Sequence, residues 1–476
     1  MKTILTSLIV LLFISSSCKK LVEVKPPITS TNGDGVFNED GSAIAVITGI
    51  YSNMSKNIIG EDGLLTNVFL LTGLTGDELR HVDDSNPYLL PYYNNTISPL
   101  APGWTNIYKM IFTVNSAVEQ MPKGTTLSTV VRSQLMGEAK FIRALCYFYL
   151  VNLYGDVPMP LSTDYKINED LPRSIKSDVY EQIITDLKEA QNLLNANYVQ
   201  KDAVSTSLER VRPNKYTAIA LLARVYLYTG KYAEAEKEAS VVIEKKALYE
   251  LVELNDVFLK GSREAIWQLQ PVGVTANFSA NSQEGYLLKI LPFNERPLVV
   301  LTDGLVTSFD ARDQRRFNWI NTVKTNGGSS FTYAYKYKIG QEQEPTKEYS
   351  TVFRLAEQYL IRAEARIRQG NVIEGIADLN AIRKRATDHS VLPLNQFAQL
   401  SENLPQTEAL LAVEQERRHE LFTEWGHRWF DLKRTNRANE VLGELKGSYW
   451  QSTDQLFPIP QSDVSTNRPQ NPGYTN

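Results

Sequence analysis

Three stretches of this chain repeat one arrangement: an apolar helix carrying a small residue and a tyrosine, a glycine turn, and a second helix with small residues facing the first. Between Pro213 and Lys246 it is made by Ala223, Tyr226, Gly230, Tyr232 and Ala235. From Phe353 to Arg385 the corresponding residues are Tyr359, Ala363, Gly370, Gly375 and Leu379. A looser copy begins at Gly137, where Ala144 and Tyr147 lead to Tyr154-Gly155, with a partner helix predicted over Ser177–Leu194. The logic is steric: alanine or glycine at a helix crossing lets two backbones approach, tyrosine fills the space beside it, and Gly230 suits the left-handed conformation that ends a helix.

Such spacing is that of a tetratricopeptide-like helical pair. Helical period extends beyond the pairs, since Trp104, Tyr108, Ile111, Phe112, Asn115 and Val118 form one stripe. Asn115 on that stripe is expected to be buried and hydrogen-bonded, and Cys146 to be an ordinary core residue. Around 264–345 the period changes to two. Ala265, Trp267 and Leu269 alternate with other residues, as do Phe331, Tyr333, Tyr335 and Tyr337. Short strands and long loops are therefore predicted between the helical pairs, with the Phe331–Tyr337 stripe facing the core. Ligand contacts favour loops held on a rigid scaffold, so this insertion is a site candidate.

The N-terminus is of another kind. Met1–Ser17 has an early lysine, an apolar run from Ile4 to Ile14 and then small residues, followed at once by Cys18. The run falls short of the ~20 residues that span a bilayer and fits a secretory signal. Cys18 is placed as the lipid-acceptor cysteine of a bacterial lipoprotein. Residues 18–35 read as a tether, 36–260 as an N-terminal helical region, and 261–476 as a C-terminal region with the loop insertion, the last repeat and a tail. Cleavage before Cys18 would leave Cys146 as the one other thiol, so no disulfide can form within the mature chain.

Composition excludes several classes. With 50 Lys and Arg against 54 Asp and Glu, the chain offers no basic footprint for nucleic acid. Two Cys and four His leave little for a Cys/His metal centre, and neither a metal nor a cofactor is expected. Neither a phosphate-binding glycine loop nor a Gly-x-Ser-x-Gly elbow is present. The block Glu416–Arg434 is rich in ionisable groups. His419-Glu420 begins like a zincin helix, but Thr423 stands where the second histidine belongs. Glu420 and Glu424, four apart, would share one helix face, whereas a glycosidase dyad flanks a bond from two sides. Ion pairs Glu424–Arg428 and Asp431–Arg434 are expected instead, and the block reads as structural, with no catalytic residues.

Several segments resemble the SusD/RagB family of Bacteroidetes outer-membrane lipoproteins. They are GEAKFIRALCYFYLVNLYGDVPMP (137–160), VYEQIITDLKEAQNLL (179–194), RLAEQYLIRAEARIRQGN from Arg354, DLNAIRKRA from Asp378, ERRHELFTEWGHRWFDLKR from Glu416 and LFPIPQSDVSTNRPQNPGY from Leu456. The resemblance implies a mostly α fold: a tetratricopeptide-like helical-repeat scaffold with an irregular, loop-rich ligand-binding half and a few short strands. It also implies a binding protein and not an enzyme, lipid-anchored at the cell surface of the outer membrane. Such a protein delivers oligosaccharides, or sometimes peptides, to a SusC-like TonB-dependent transporter. A protein-interaction scaffold and a glycoside hydrolase are the alternatives.

Sugar capture needs flat aromatic faces and planar polar partners for the hydroxyls. Two stretches supply them. Thr72–Trp104 contains Asp77, Glu78, Arg80, Tyr88, Tyr92, Tyr93 and Asn94; the 273–296 loop contains Asn277, Phe278, Tyr286 and Phe293. The resemblance implies that an acidic residue in the first stretch and a Trp opening the next helix join the site, which points to Asp77 and Trp104.

Overall fold

The computed structural model describes residues 33–55, 64–82, 86–98, 103–272, 281–341, 345–392 and 396–474. Cys18, Asn277 and Phe278 lie outside them. The backbone of the fold is a stack of helices. We number them α1 (Asp40–Met54), α2 (Leu64–Thr75), α3 (Trp104–Gln120), α4 (Thr129–Tyr154), α5 (Lys176–Leu193), α6 (Lys215–Tyr228) and α7 (Tyr232–Ile243). Next in the chain are α8 (Leu355–Arg368), α9 (Val372–Arg385), α10 (Gln406–Leu421), α11 (His427–Arg434) and α12 (Ala438–Lys446). From α3 to α9 each helix packs on its successor, α10 leans on α8, and α1 covers α4.

The three repeats are these helical pairs, α4–α5, α6–α7 and α8–α9. Small residues stand where the backbones cross. A Cβ added to Gly137 would lie 2.8 Å from Leu194 Cγ, and one added to Gly375 would lie 2.8 Å from the Ala363 carbonyl oxygen. Ala223 and Ala363 are fully buried. The turns match too. Gly230 and Gly370 are left-handed, and the next residues, Lys231 and Asn371, donate their N–H groups back to the Tyr226 and Arg366 carbonyls, both at 2.9 Å. Asn214 opens α6 with a capping box shared with Thr217.

The insertion separates α7 from α8 in sequence but not in space. Its first and last strands, β4 (Ala265–Leu269) and β8 (Ser350–Arg354), pair antiparallel, with Ala265 opposite Arg354. Both ends of the insertion are thereby held together, and α8 lands against α7. Other strand pairs are short: β1 (Leu79–His81) with β5 (Val299–Leu301), β2 (Val157–Pro158) with β3 (Arg173–Ser174), and the hairpin of β6 (Ile320–Lys324) with β7 (Ser330–Ala334).

Asn115 behaves as expected: it accepts from Arg143 Nη1 (2.9 Å) and donates to the Pro160 carbonyl (2.9 Å). Cys146 is a buried core thiol whose pKa burial pushes up to about 12. One expectation needs correction. Phe112, at 56% exposure, points off the α3 stripe into solvent. Every residue of β4 is buried, because α6 covers it as well as β8, so its alternation does not mark a solvated face.

Candidate functional site

Four residues that the sequence pointed to prove to be interior. Asp77, between α2 and β1, is gripped by Arg428, with Nε to Oδ1 at 2.8 Å and Nη2 to Oδ2 at 2.9 Å, and is reached by Arg418 Nη2 at 2.9 Å. Burial works to raise its pKa, but the two guanidiniums outweigh it and hold the carboxyl below its usual value. Glu78 accepts the Thr423 N–H at 3.2 Å and leaves Oε1 without a partner. Burial, then the charge of Asp77, raise its pKa to about 8. Tyr92 meets Phe457 edge-on at 5.7 Å. Trp104, only 3% exposed, is wedged between Tyr108 (4.9 Å) and Tyr154 (4.8 Å) and presents no ring face to solvent. The partners Arg428, Arg418, Tyr154 and Phe457 come from distant helices and the C-terminal tail, which is why local sequence mistook core residues for surface ones.

Of the remaining residues, Arg80 lies on β1 and Tyr93 beside it. Strand β1 turns Leu79 and His81 inward and Arg80 outward. Tyr93 lies edge-on to His81 at 4.7 Å, with Lys446 Nζ 5.2 Å above its ring. Lys446 donates to the Leu74, Thr75 and Tyr93 carbonyls and to Asn95 Oδ1, fixing that corner. Tyr88 is 64% exposed, yet its backbone is ordered by Asn86, whose Oδ1 accepts the N–H groups of Tyr88 and Leu89.

Across β1 and β5, Arg80 stands opposite Val300. Val300 belongs to a small apolar cluster with Ile290 and Tyr333, rimmed by half-buried Val82, Val323, Phe331 and Tyr335. The Phe331–Tyr337 stripe therefore divides: Tyr333 and Tyr337 are buried, while Phe331 and Tyr335 retain exposed ring area. Sequence reasoning missed these two, because a strand covered on one side by a small cluster has the same alternation as one facing the main core.

Phe293 is 60% exposed on a turn that is tied down at both ends. Asn326 donates its N–H to the Pro292 carbonyl at 2.8 Å, and Gly327 donates to Glu295 Oε1 at 2.7 Å, joining the turn to the tip of the β6–β7 hairpin. Tyr286 is half-buried against the main core. Phe293, Phe331 and Tyr335 thus gather with the Arg80 strand around one small cluster on a framework of paired backbone, while Tyr93 packs on His81, on the side of β1 away from Arg80. Rings held at low entropic cost can stack on the C–H face of a sugar, and Arg80 can donate to hydroxyls.

A separate cleft of about 700 Å³ opens between α1, the turn around Lys201 and the strand β4. Tyr51 and Arg212 on its wall are both engaged by Glu138, at 2.7 and 2.9 Å. None of the candidate ligand-binding residues lines it.

The ionisable block is a sealed salt network. Arg315, Arg354 and Arg385 converge on Glu420, while Arg354 also meets Glu264 and Glu424, and Arg315 meets Asp313 and Glu416. Lys336 donates to Glu424 at 2.5 Å. Burial opposes ionisation of Glu420, but Arg385, Arg354 and Arg315 hold its pKa well below the usual range. His419 stacks on Phe309 at 4.1 Å, and burial, with Arg315 beside it, lowers its pKa to about 3. Asp431–Arg434 forms at 2.8 Å, as expected, but Glu424–Arg428 does not. The helix breaks between α10 and α11, where Thr423, Trp425 and Gly426 are left-handed, so positions 424 and 428 do not share a face. Arg428 turns to Asp77 and Glu414 instead. Among the described residues no group of His, Cys, Asp and Glu is arranged to hold a metal ion.

Comparison with known proteins agrees with this architecture. Residues 80–227 match a SusD-like family described as starch-binding and associating with the outer membrane, and 305–474 match the SusD family. The chain belongs to the SusD/RagB family, a class of carbohydrate-binding proteins. It is 27% identical to SusD-like protein P2 of Formosa agariphila over the whole of both chains. It is 25% identical to the starch-binding protein SusD of Bacteroides thetaiotaomicron over 96% of each. Among solved structures, a laminarin-binding SusD-like protein superposes with a TM-score of 0.72 at 25% identity, covering 91% of this chain and 99% of the other. A SusD superfamily protein of Bacteroides thetaiotaomicron shares the fold at 22% identity, with a TM-score of 0.73 over 91% of this chain and all of the other.

Proposed function

We propose that this protein is a surface lipoprotein of the outer membrane, anchored through Cys18, that captures oligosaccharides and passes them to a SusC-like TonB-dependent transporter. The observation that carries the reading is the exposed Phe293, held on a turn pinned to the β6–β7 hairpin beside the Phe331–Tyr335 cluster. An aromatic ring fixed in water by backbone hydrogen bonds contributes nothing to the core, and it is what a sugar-stacking platform requires. Ligand binding is assigned to Phe293, Phe331 and Tyr335 with Arg80, and to the neighbouring stretch of Tyr88 and Tyr93, while Asp77 and Glu78 anchor β1 from within and Tyr92 and Trp104 belong to the main core. Starch and laminarin, named for two relatives, are both glucans, so glucans are the first ligands to test.

No transmembrane helix is needed by this account, and among the described residues no helix is long and apolar enough to cross a membrane. The test is calorimetry of the soluble protein lacking residues 1–18 against maltohexaose, laminarihexaose and a panel of plant and animal oligosaccharides. Each mixture is chromatographed afterwards. Binding with intact sugar supports the proposal; cleaved sugar would mean a hydrolase, and binding only to a purified transporter would mean a protein scaffold.

A further inference from the structure

The chain from β2 to β3 is held more firmly than a surface connection needs. It runs along α3 and is pinned in turn by one helical row. Tyr108 donates to the Pro158 carbonyl at 2.7 Å and Asn115 to the Pro160 carbonyl at 2.9 Å. Glu119 then accepts the Thr163 N–H at 2.9 Å and the Thr163 hydroxyl at 2.6 Å. Tyr147 of α4 also donates to Pro160, and Asn168 folds back onto the Ser162 carbonyl at 2.8 Å. From the C-terminal tail, Arg468 donates to the carbonyls of Leu171, Asn168 and Glu169. Backbone fixed at so many points has lost its conformational freedom before any partner arrives.

What this frame presents to solvent is apolar. Tyr165 and Ile167, on the single helical turn Tyr165–Asn168, are 68% and 60% exposed, and Leu161 is exposed as well. Phe112 lies on the outer edge of the row formed by Tyr108, Asn115 and Glu119, beside the loop that those residues bind. None of the four belongs to a core cluster. Within 164–170, three exposed carboxylates, Asp164, Glu169 and Asp170, outnumber the one ammonium of Lys166. Aromatic and aliphatic side chains inside a charged rim have the composition of a protein interface, whereas an anionic lipid surface would be repelled by those carboxylates.

The N-terminal part of the chain orients this face. Thr163 is bonded to the last turn of α3, and the turn that follows α3 holds the start of the described chain. There Thr126 donates to the Asn38 carbonyl, and Asp40 accepts the Ser128 N–H at 2.8 Å. The chain from Cys18 therefore enters the fold at the end of α3 to which the loop delivers Tyr165 and Ile167. Fifteen residues lead from Cys18 to residue 33, about 50 Å at full stretch. A lipid on Cys18 keeps this end of the protein toward the membrane, within reach of a barrel embedded there. We propose that Leu161, Tyr165, Ile167 and Phe112 form the surface that docks on the SusC-like transporter, which supplies basic groups opposite Asp164, Glu169 and Asp170. The inference rests on the transporter partnership proposed above and adds where on this chain the barrel binds. Confinement of both partners to one membrane lets a patch of modest size suffice.

The test starts from the full-length lipoprotein, tagged at its C-terminus and extracted from the outer membrane in mild detergent. A TonB-dependent barrel, identified by mass spectrometry, should copurify with it. That barrel, purified, is then titrated with the parent protein and with the double variant Tyr165→Ser, Ile167→Ser. Both side chains are exposed, so the variant should keep the parent melting temperature and the parent affinity for oligosaccharide. Its affinity for the barrel should fall roughly tenfold or more. Glu169→Lys with Asp170→Lys should weaken docking too, while Phe293→Ala should leave it unchanged. A double variant that binds the barrel as tightly as the parent would overturn the docking surface and leave the transporter partnership standing. A parent protein that copurifies with no barrel would overturn both. Self-association, or binding to phosphatidylethanolamine vesicles, that the double variant abolishes while its barrel affinity stays intact would give the face to another partner and overturn the proposal.

Discussion

Asp77 and Arg428, 351 positions apart in the chain, meet through a two-pronged ion pair at 2.8 and 2.9 Å. This contact ties the strand that carries Arg80 to the C-terminal helix α11, so the surface face is positioned by the far end of the chain. With Arg418 also on Asp77, the carboxylate neutralises a buried cluster of guanidiniums.

Asp77→Asn should therefore act on stability and not on recognition. Removing one member of a buried ion pair leaves the other charge uncompensated and costs about 3–5 kcal/mol. Urea unfolding should show that loss. The fraction that remains folded should bind sugar with unaltered affinity.

Gly375 is a packing residue of the α8–α9 crossing. A methyl group there would lie 2.4 Å from Ile367 Cγ1 and 2.8 Å from a backbone oxygen. Gly375→Ala should cost about 1–3 kcal/mol by overpacking, and Ala223→Trp in the preceding pair at least as much. Melting temperatures equal to that of the parent protein would mean that these helices cross elsewhere.

Glu78 gives a pH signature. Its pKa is about 8 in the folded state, raised from 4.5 by burial and by Asp77. Between those values the folded chain keeps a proton that the unfolded chain has released, so this group makes stability fall as pH rises through the interval. Glu78→Gln removes the contribution. The variant should gain on the parent protein progressively from pH 5 to pH 8, by at least ~1 kcal/mol, in denaturant titrations at each pH. A constant difference across that window would show that Glu78 is ionised throughout.

Cys18→Ala should leave the folded body intact and move the protein from the membrane fraction to the soluble fraction of the cell. Mass spectrometry of the native N-terminus should find lipid on Cys18; an unmodified terminus at another residue would contradict the anchor.

The helical pairs were legible because their determinants are local. Ala223, Gly230, Ala363 and Gly370 act on the turn or crossing that contains them, and a 3.6-residue period reports them directly. The proposed site was legible only as two stretches of chain. Tyr88 and Phe293 stand exposed where the loops were read, but Trp104 and Tyr92 look identical to them in sequence and are claimed by Tyr154 and Phe457 from far away. Asp77 was misread for the same reason: a carboxylate in a Gly-Asp-Glu turn does not announce that an arginine 351 positions later will enclose it. The Glu424–Arg428 pairing failed through backbone geometry, since three left-handed residues break the helix on which it depended.

The central claim is that the exposed rings bind sugar while the buried ones hold the fold. Phe293→Ala and Trp104→Ala, titrated side by side with whichever oligosaccharide the panel identifies, test it most directly. The account predicts that Phe293→Ala melts within about 0.5 kcal/mol of the parent protein and binds roughly tenfold or more weakly, while Trp104→Ala loses about 3–5 kcal/mol of stability and binds normally once folded. Full affinity in Phe293→Ala, with affinity lost in a stably folded Trp104→Ala, would contradict it.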